Sequence, residues 1–135
     1  MLLPENSYSF HFKSTGEKTK RDYEGDFTVK CVLSNGEQID VALITDRLSG
    51  GSKSLPMEFK NFNRTIAELE KRIAVDKKGM QLAPDWWRNS NNGLDLLDSN
   101  VVLELFAKAI SEADAYWDKA LVDMTKKAEA NKKSE

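Results

Sequence analysis

Apolar and polar positions alternate twice near the start of the chain. Tyr8, Phe10 and Phe12 interleave with Ser9, His11 and Lys13, and Phe27, Val29, Cys31 and Leu33 interleave with Thr28 and Lys30. A period of two puts one set of side chains on a buried face and the other in water, so each stretch reads as a half-buried strand. The polar run from Ser14 to Lys20, around Gly16, joins them, which predicts an antiparallel ribbon over residues 7–34. A two-stranded ribbon is marginal alone, so its aromatic face must lie on helices or on another subunit.

The segment Ser34-Asn35-Gly36-Glu37 supports two readings. As an Asn-Gly hairpin turn it would make Ile39, Val41 and Leu43 a third strand. As a capping box, with Ser34 at the N-cap and Glu37 at N3, it opens a helix over 35–49 that stops at Gly50 and Gly51. A run of about fourteen residues without a breaker exceeds the usual strand length and favours the helix. Ser52 to Leu55 reads as a linker, and Pro56 suits the first turn of a helix over 55–78. Phe59, Phe62, Ile66, Leu69 and Ile73 form its stripe, with Lys77 and Lys78 near the end and Gly79 as the cap. Asp98 or Ser99 caps a last helix over 99–127, whose stripe is Val102, Leu105, Phe106, Ala109, Ala113, Trp117, Leu121 and Met124. Residues 128–135 have nothing apolar to bury and are expected to be a flexible charged tail. The fold expected is a single α+β domain over 1–127, a ribbon of two or three strands followed by a bundle of about three helices.

Between the last two helices, Pro84 biases Ala83 away from helix and Asn91-Asn92-Gly93 marks a tight turn. The adjacent Trp86 and Trp87 sit on this connector and cannot share one helix or strand face. One ring is expected in the core, stapling the connector to the last helix against Phe106 or Ile110. The other is expected to anchor a partner inside a polar rim of Arg88, Asn89, Asn91 and Asn92. The candidate partner-binding residues are therefore Trp86, Trp87 and Arg88, joined by Phe10 and Phe12 on the ribbon, whose apolar face and open edge also predict self-association.

Composition changes this picture little. The chain has 135 residues, 40% hydrophobic and 31% charged, in the range of an ordinary globular domain. A net charge of -2 exerts no general pull toward nucleic acid or acidic lipid. Lys18, Lys20 and Arg21 are interleaved with Glu17, Asp22, Glu24 and Asp26, so the ribbon loop carries no one-signed patch for a nucleic acid. No apolar run approaches the roughly 20 residues of a membrane helix, and Met-Leu-Leu-Pro-Glu-Asn lacks the regions of a secretory signal. A lone Cys31 points to a reducing compartment. The sole histidine, His11, has no second histidine or cysteine at ligand spacing. Asp95 and Asp98 are too few oxygen ligands for a divalent cation, and helix capping accounts better for Asp98. The glycines form no phosphate loop. Neither an enzyme nor a metal or other cofactor is expected.

Ala83-Pro84-Asp85-Trp86-Trp87, followed by Ser90-Asn91-Asn92-Gly93-Leu94-Asp95-Leu96-Leu97-Asp98-Ser99-Asn100-Val101-Val102, resembles small proteins encoded among tailed-phage morphogenesis genes. Tyr23-Glu24-Gly25-Asp26-Phe27-Thr28-Val29 and Ala113-Asp114-Ala115-Tyr116-Trp117 fit the same pattern, so the resemblance spans residues 20–122. The layout of a short β ribbon followed by helices resembles that of tail assembly chaperone-like proteins. The resemblance implies binding to the long helical tape-measure protein, recruitment of tail-tube subunits, and a place in the host cytoplasm or the virion. Some such chaperones carry a frameshifted extension, whereas this chain stops in its charged tail. A small structural virion protein and a protein-binding regulatory module are the alternative expectations.

Overall fold

The computed structural model describes residues 3–51 and 54–133. The expected linker at 52–55 and the end of the expected tail, 134–135, therefore lie partly outside the described residues. The fold is α+β, an antiparallel two-stranded ribbon followed by helices. Strand β1, Tyr8–Thr15, pairs with β2, Asp22–Val29, in a register that opposes Phe10 to Phe27, Phe12 to Gly25 and Ser14 to Tyr23. The first alternation holds as expected, whereas the second strand lies earlier than the expected 27–33, since it starts at Asp22 and ends at Val29 and leaves Cys31 and Leu33 buried beyond it. Phe10, Phe12, Ser14, Tyr23, Phe27 and Val29 are buried, while Ser9, His11, Lys13, Thr15, Asp22 and Glu24 face water.

Helix α1, Asn35–Leu48, resolves the ambiguity after the ribbon in favour of the capping box. The Glu37 backbone N–H donates to Ser34 Oγ at 3.1 Å, and the Ser34 N–H donates to Glu37 Oε1 at 3.0 Å. Lys30 pairs with the same carboxylate, and its hydrogen bond is the leading reason that the Glu37 acid is pulled down to about 2. There is no third strand at 39–43. Only Val41 of α1 is buried, in a small cluster with Leu33 and Ala67. Lys71 Nζ lies 3.1 Å from Asp40 Oδ2, further fastening α1 to the next helix.

Helix α2, Met57–Arg72, ends earlier than the sequence suggests. Instead of continuing to Lys78, the chain turns extended at Ile73 (φ -65°, ψ 119°) and joins the edge of β2. The Lys30 N–H donates to Arg72 O at 2.7 Å, Ala74 N–H to Thr28 O at 2.9 Å, and Thr28 N–H to Leu82 O at 3.0 Å. Sheet pairing of β-branched Ile73 and Val75 overrides the local helical pattern. Lys77 and Lys78 then lie in a turn whose backbone is held by Asp76 Oδ1, which accepts from Lys78 N at 2.8 Å and Met80 N at 3.0 Å. Gly79 (φ 81°) is this turn's glycine, not a helix cap.

A single helical turn, α3 (Asp85–Arg88), carries both tryptophans, and α4 runs from Ser99 to Lys133. The expected end at Lys127 is thus exceeded. Ala128, Glu129, Ala130 and Lys133 are strong helix formers or tolerate the helix, so the backbone continues without a core to cover it. Helix α4 packs on the inner face of the ribbon and on α2. Val101, Val102, Leu105, Ala109 and Ala113 are fully buried there with Phe12, Phe27, Ile66, Leu69 and Trp87. The ribbon's apolar face is therefore covered by the chain's own helices.

Leu105→Ala is expected to lose about 2–5 kcal/mol of unfolding free energy, because a fully buried leucine leaves a cavity. Leu103, two residues earlier, is 48% exposed, and its alanine variant should lose about 0.5 kcal/mol or less. Urea unfolding of both variants checks this. Equal losses would show that α4 does not face the ribbon as described.

Candidate functional site: the junction of connector, ribbon and last helix

Three contacts hold the connector in place, and each involves a stretch singled out in the sequence. The first is aromatic. Trp87 is fully buried and Trp86 half-buried, yet both rings meet Phe27, at centroid distances of 6.1 Å and 5.7 Å. The two indoles lie edge to face, 6.2 Å apart at 86°. Trp86 also meets Tyr23 at 5.1 Å and Phe12 at 6.2 Å, and its Nε1–H donates to Glu24 O at 2.9 Å on the edge of β2. The expectation that adjacent tryptophans must serve different surfaces is corrected. One helical turn splays them by roughly 100°, and indoles are long enough for both to reach a phenylalanine placed between them.

The second contact is steric. Gly25, in the middle of β2, faces Pro84 so closely that a Cβ there would lie 2.5 Å from the proline Cβ. Gly93 (φ 90°) similarly admits the far edge of Trp87, where a Cβ would fall 2.8 Å from Cη2. A glycine inside a strand marks such a close approach.

The third contact is polar. Asp98 is buried, and its carboxylate does not cap α4. Oδ1 accepts from the backbone N–H groups of Lys18 (2.8 Å) and Thr19 (3.0 Å), and Oδ2 accepts from the hydroxyls of Thr19 (2.5 Å) and Tyr23 (2.9 Å). Gly16 lies against this carboxylate, where a Cβ would be 2.1 Å from Oδ2. Asn100 continues the clasp, accepting from Glu17 N at 3.0 Å and donating to Thr15 O at 3.1 Å. Glu104 Oε2 accepts from Ser14 Oγ at 2.7 Å and from Asn100 Nδ2 at 2.9 Å. The Thr19 hydroxyl bond leads the effects that hold the Asp98 acid down at about 2, against a burial that raises it.

The outer face of the ribbon carries a separate cluster. His11 Nδ1 lies 2.7 Å from Asp26 Oδ1, and Nε2 lies 2.7 Å from Glu24 Oε2. Ionised carboxylates only accept, so both contacts together require an imidazolium. The hydrogen bonds to Glu24 and then Asp26 raise the histidine above its ordinary value.

A cleft of about 430 Å³ lies between α2 and α4, lined by Cys31, Leu33, Arg64, Glu68, Arg72, Trp117 and their neighbours. Arg72 is held there by Lys30 O and Cys31 O, at 3.2 Å and 2.9 Å. Burial pushes the Cys31 thiol up, so it is not poised as a thiolate. Among the described residues no group of three or more His, Cys, Asp or Glu side chains is placed to hold a metal ion. No helix among them is long and apolar enough to cross a membrane.

The structure brings four of the five candidate partner-binding residues together, but largely inside. Phe10, Phe12 and Trp87 are buried in the chain's own core, and Trp86 is engaged with the ribbon, so none of these rings is a free anchor. Only Arg88 is exposed, and it pairs with Asp85 one turn back. Of the expected packing partners of the connector, Phe106 packs on the core cluster that holds Trp87, and Phe27 meets both indoles. Asp98 and Asn100 are the residues that sequence reasoning undervalued, since a polar residue ahead of a helix reads as a cap whatever else it touches. Compared with protein-family models, curated proteins and solved structures, the chain matches none.

Trp87→Ala should remove about 3–5 kcal/mol of stability, as expected for a fully buried aromatic. Trp86→Ala should remove less, because that ring is only half-buried. Tryptophan-to-alanine melts in parallel test the order, and a larger loss at Trp86 would contradict it.

Both titratable clusters predict a pH dependence. Asp98 has a depressed folded value, so its contribution is complete above the ordinary carboxylate range and disappears as pH falls toward about 2. His11 has a raised folded value, so its contribution is complete below 6.5 and disappears as pH rises through the folded value. Melting temperature should therefore decline below about pH 4, and the decline should flatten in Asp98→Asn. The His11 ring proton resonances should titrate above 6.5 in the parent and return toward it in Glu24→Gln.

Proposed function

We propose that the protein is a non-enzymatic bacteriophage assembly factor of the tail assembly chaperone kind, holding a helical tape-measure protein soluble during tail morphogenesis. The observation that carries this is the outer side of the connector. Val75 (58% exposed), Met80 (52%), Leu82 (39%), Leu94 (38%) and Leu97 (72%) all belong to the segment 75–97. Gln81 Nε2 donates to Asn92 Oδ1 at 2.8 Å, tying the 74–82 turn to the connector that bears the two leucines. Exposed apolar side chains on backbone locked by Trp86, Trp87 and Asp98 are presented without an ordering cost, beside Arg88, Asn89 and Asn91 as a polar rim. The stretches that resemble tail chaperones, Tyr23–Val29, Ala83–Trp87 and Asp98–Asn100, are those that build the locked junction. The anchoring role thereby moves from the tryptophans to the leucines outside them, and the partner is a protein helix with an apolar face.

Co-expression with a phage tape-measure protein tests this. Wild-type chain should keep that protein soluble and co-purify with it. Leu94→Asp with Leu97→Asp should weaken capture by about tenfold or more while leaving the melting temperature close to the parent's. A tape-measure protein that stays insoluble would refute the chaperone role, and retention of the chain in purified particles would make it a structural virion protein.

A further inference from the structure

The cleft between α2 and α4 contains an arginine whose hydrogen bonding is incomplete. Arg64, Glu68 and Arg72 follow one another at steps of four along α2 and line one wall, and Asp114 and Trp117 of α4 line the other. The Arg72 side chain is only 14% exposed. Its Nη1 donates to Lys30 O and Cys31 O. Its Nε is buried without a hydrogen-bond acceptor among the described residues, and Nη2 has none there either. A buried donor left in this way is costly, and few native groups remain so.

The carboxylate nearest to that donor does not meet it. Glu68 Oε2 lies 3.7 Å from Arg72 Nε, and Oε1 lies 3.8 Å from Arg64 Nη2. Both distances exceed a hydrogen bond, so Glu68 stands between two guanidiniums and is bonded to neither. Nε and Nη2 form the edge of a guanidinium that takes a carboxylate through two parallel bonds. Glu68, the neighbour on that edge, belongs to the cleft wall, so the edge is turned to the cleft.

Charge and shape narrow what would complete the fork. Two arginines against one glutamate leave the α2 wall one positive charge in excess, which suits a monoanion. Asp114 on the facing wall opposes a second negative charge. Val32, Leu33 and the half-buried Trp117 give the same space an apolar side. The volume of about 430 Å³ is that of a small-molecule site. We propose that this cleft binds a small monocarboxylate with an apolar or aromatic body. Arg72 takes the carboxylate through Nε and Nη2, and the body lies along Trp117. The site is apart from the connector and does not depend on the chaperone role.

Titration of the full chain with phenylacetate tests this, read by NMR at the Arg72 Nε–H and Trp117 indole N–H resonances. Both should shift and saturate with a dissociation constant of about 1 mM, the strength open to so small a ligand. Phenylacetamide keeps the ring without the charge, and inorganic phosphate keeps a charge without the ring. Each should bind about tenfold more weakly or worse. Arg72→Lys, which keeps the charge and loses the fork, should weaken phenylacetate about tenfold. Because Arg72 also holds Lys30 and Cys31, Trp117→Ala serves as a second variant with the same expected direction, and circular dichroism melts confirm that each remains folded. An Arg72 resonance unmoved up to about 20 mM phenylacetate would overturn the proposal, since water or Glu68 then completes the fork. Phenylacetamide binding as tightly as phenylacetate, or folded Arg72→Lys binding it unchanged, would overturn the role of the fork. Phosphate binding as tightly would overturn the monocarboxylate assignment.

Discussion

A buried carboxylate with four donors around it joins the two ends of this fold. The turn between the strands and the start of α4 are about 80 residues apart in sequence, and Asp98 holds them within hydrogen-bond distance. Two of its donors are the backbone N–H groups of Lys18 and Thr19 in the turn. Removing a group that satisfies several donors leaves all of them unmet at once, and charge-assisted bonds are the stronger kind. Asn100 and Glu104 extend the connection to Thr15 and Ser14, so the turn end of the ribbon is gripped by the start of α4. With α4 laid across the ribbon, its buried face meets Phe12 and Phe27 and the core closes.

The connector depends on that closure. Trp87 has its indole N–H buried without an acceptor among the described residues, so packing alone holds the ring. Its place exists because Gly93 has no side chain and because Phe27 and Val102 have already been brought together. Trp86 then covers the side of the cluster and closes the edge of β2 through Glu24. A covered edge is one that cannot template pairing with another chain. The same outcome is reached further along β2 by Ile73, Ala74 and Leu82. Along β2 the ribbon is thus protected by irregular backbone, and its apolar face is covered by a helix, so the apolar side chains left outside lie elsewhere, on 75–97 and on α1, α2 and α4.

Much of the architecture was legible in the chain. The alternation at 8–12 and 27–29 marked strands, the Ser34–Glu37 box marked the start of α1, and the three- and four-residue steps marked α2 and α4. These are local rules, in which a residue interacts with neighbours a few positions away, so one sequence is enough to apply them. The end of α2 was not legible. Lys77, Lys78 and Gly79 make a good helix terminus, and only the presence of β2's open edge shows why Ile73 leaves the helix instead.

The candidate site divides along the same line. The sequence by itself determined that Trp86 and Trp87 sit on a short connector and that polar residues precede α4. It could not determine that Gly25 makes room for Pro84, that Asp98 binds a turn rather than its own helix, or that both indoles reach one phenylalanine. Each of those facts depends on two segments distant in the chain coming within a few ångströms of each other. Burial is decided by the same long-range packing, which placed Phe10 and Phe12, read as partner-binding candidates on the ribbon's apolar face, in the chain's own core. Local chemistry chose the elements, while the tertiary structure chose which side chains remained outside, because only closure of the core settles which surfaces are left over.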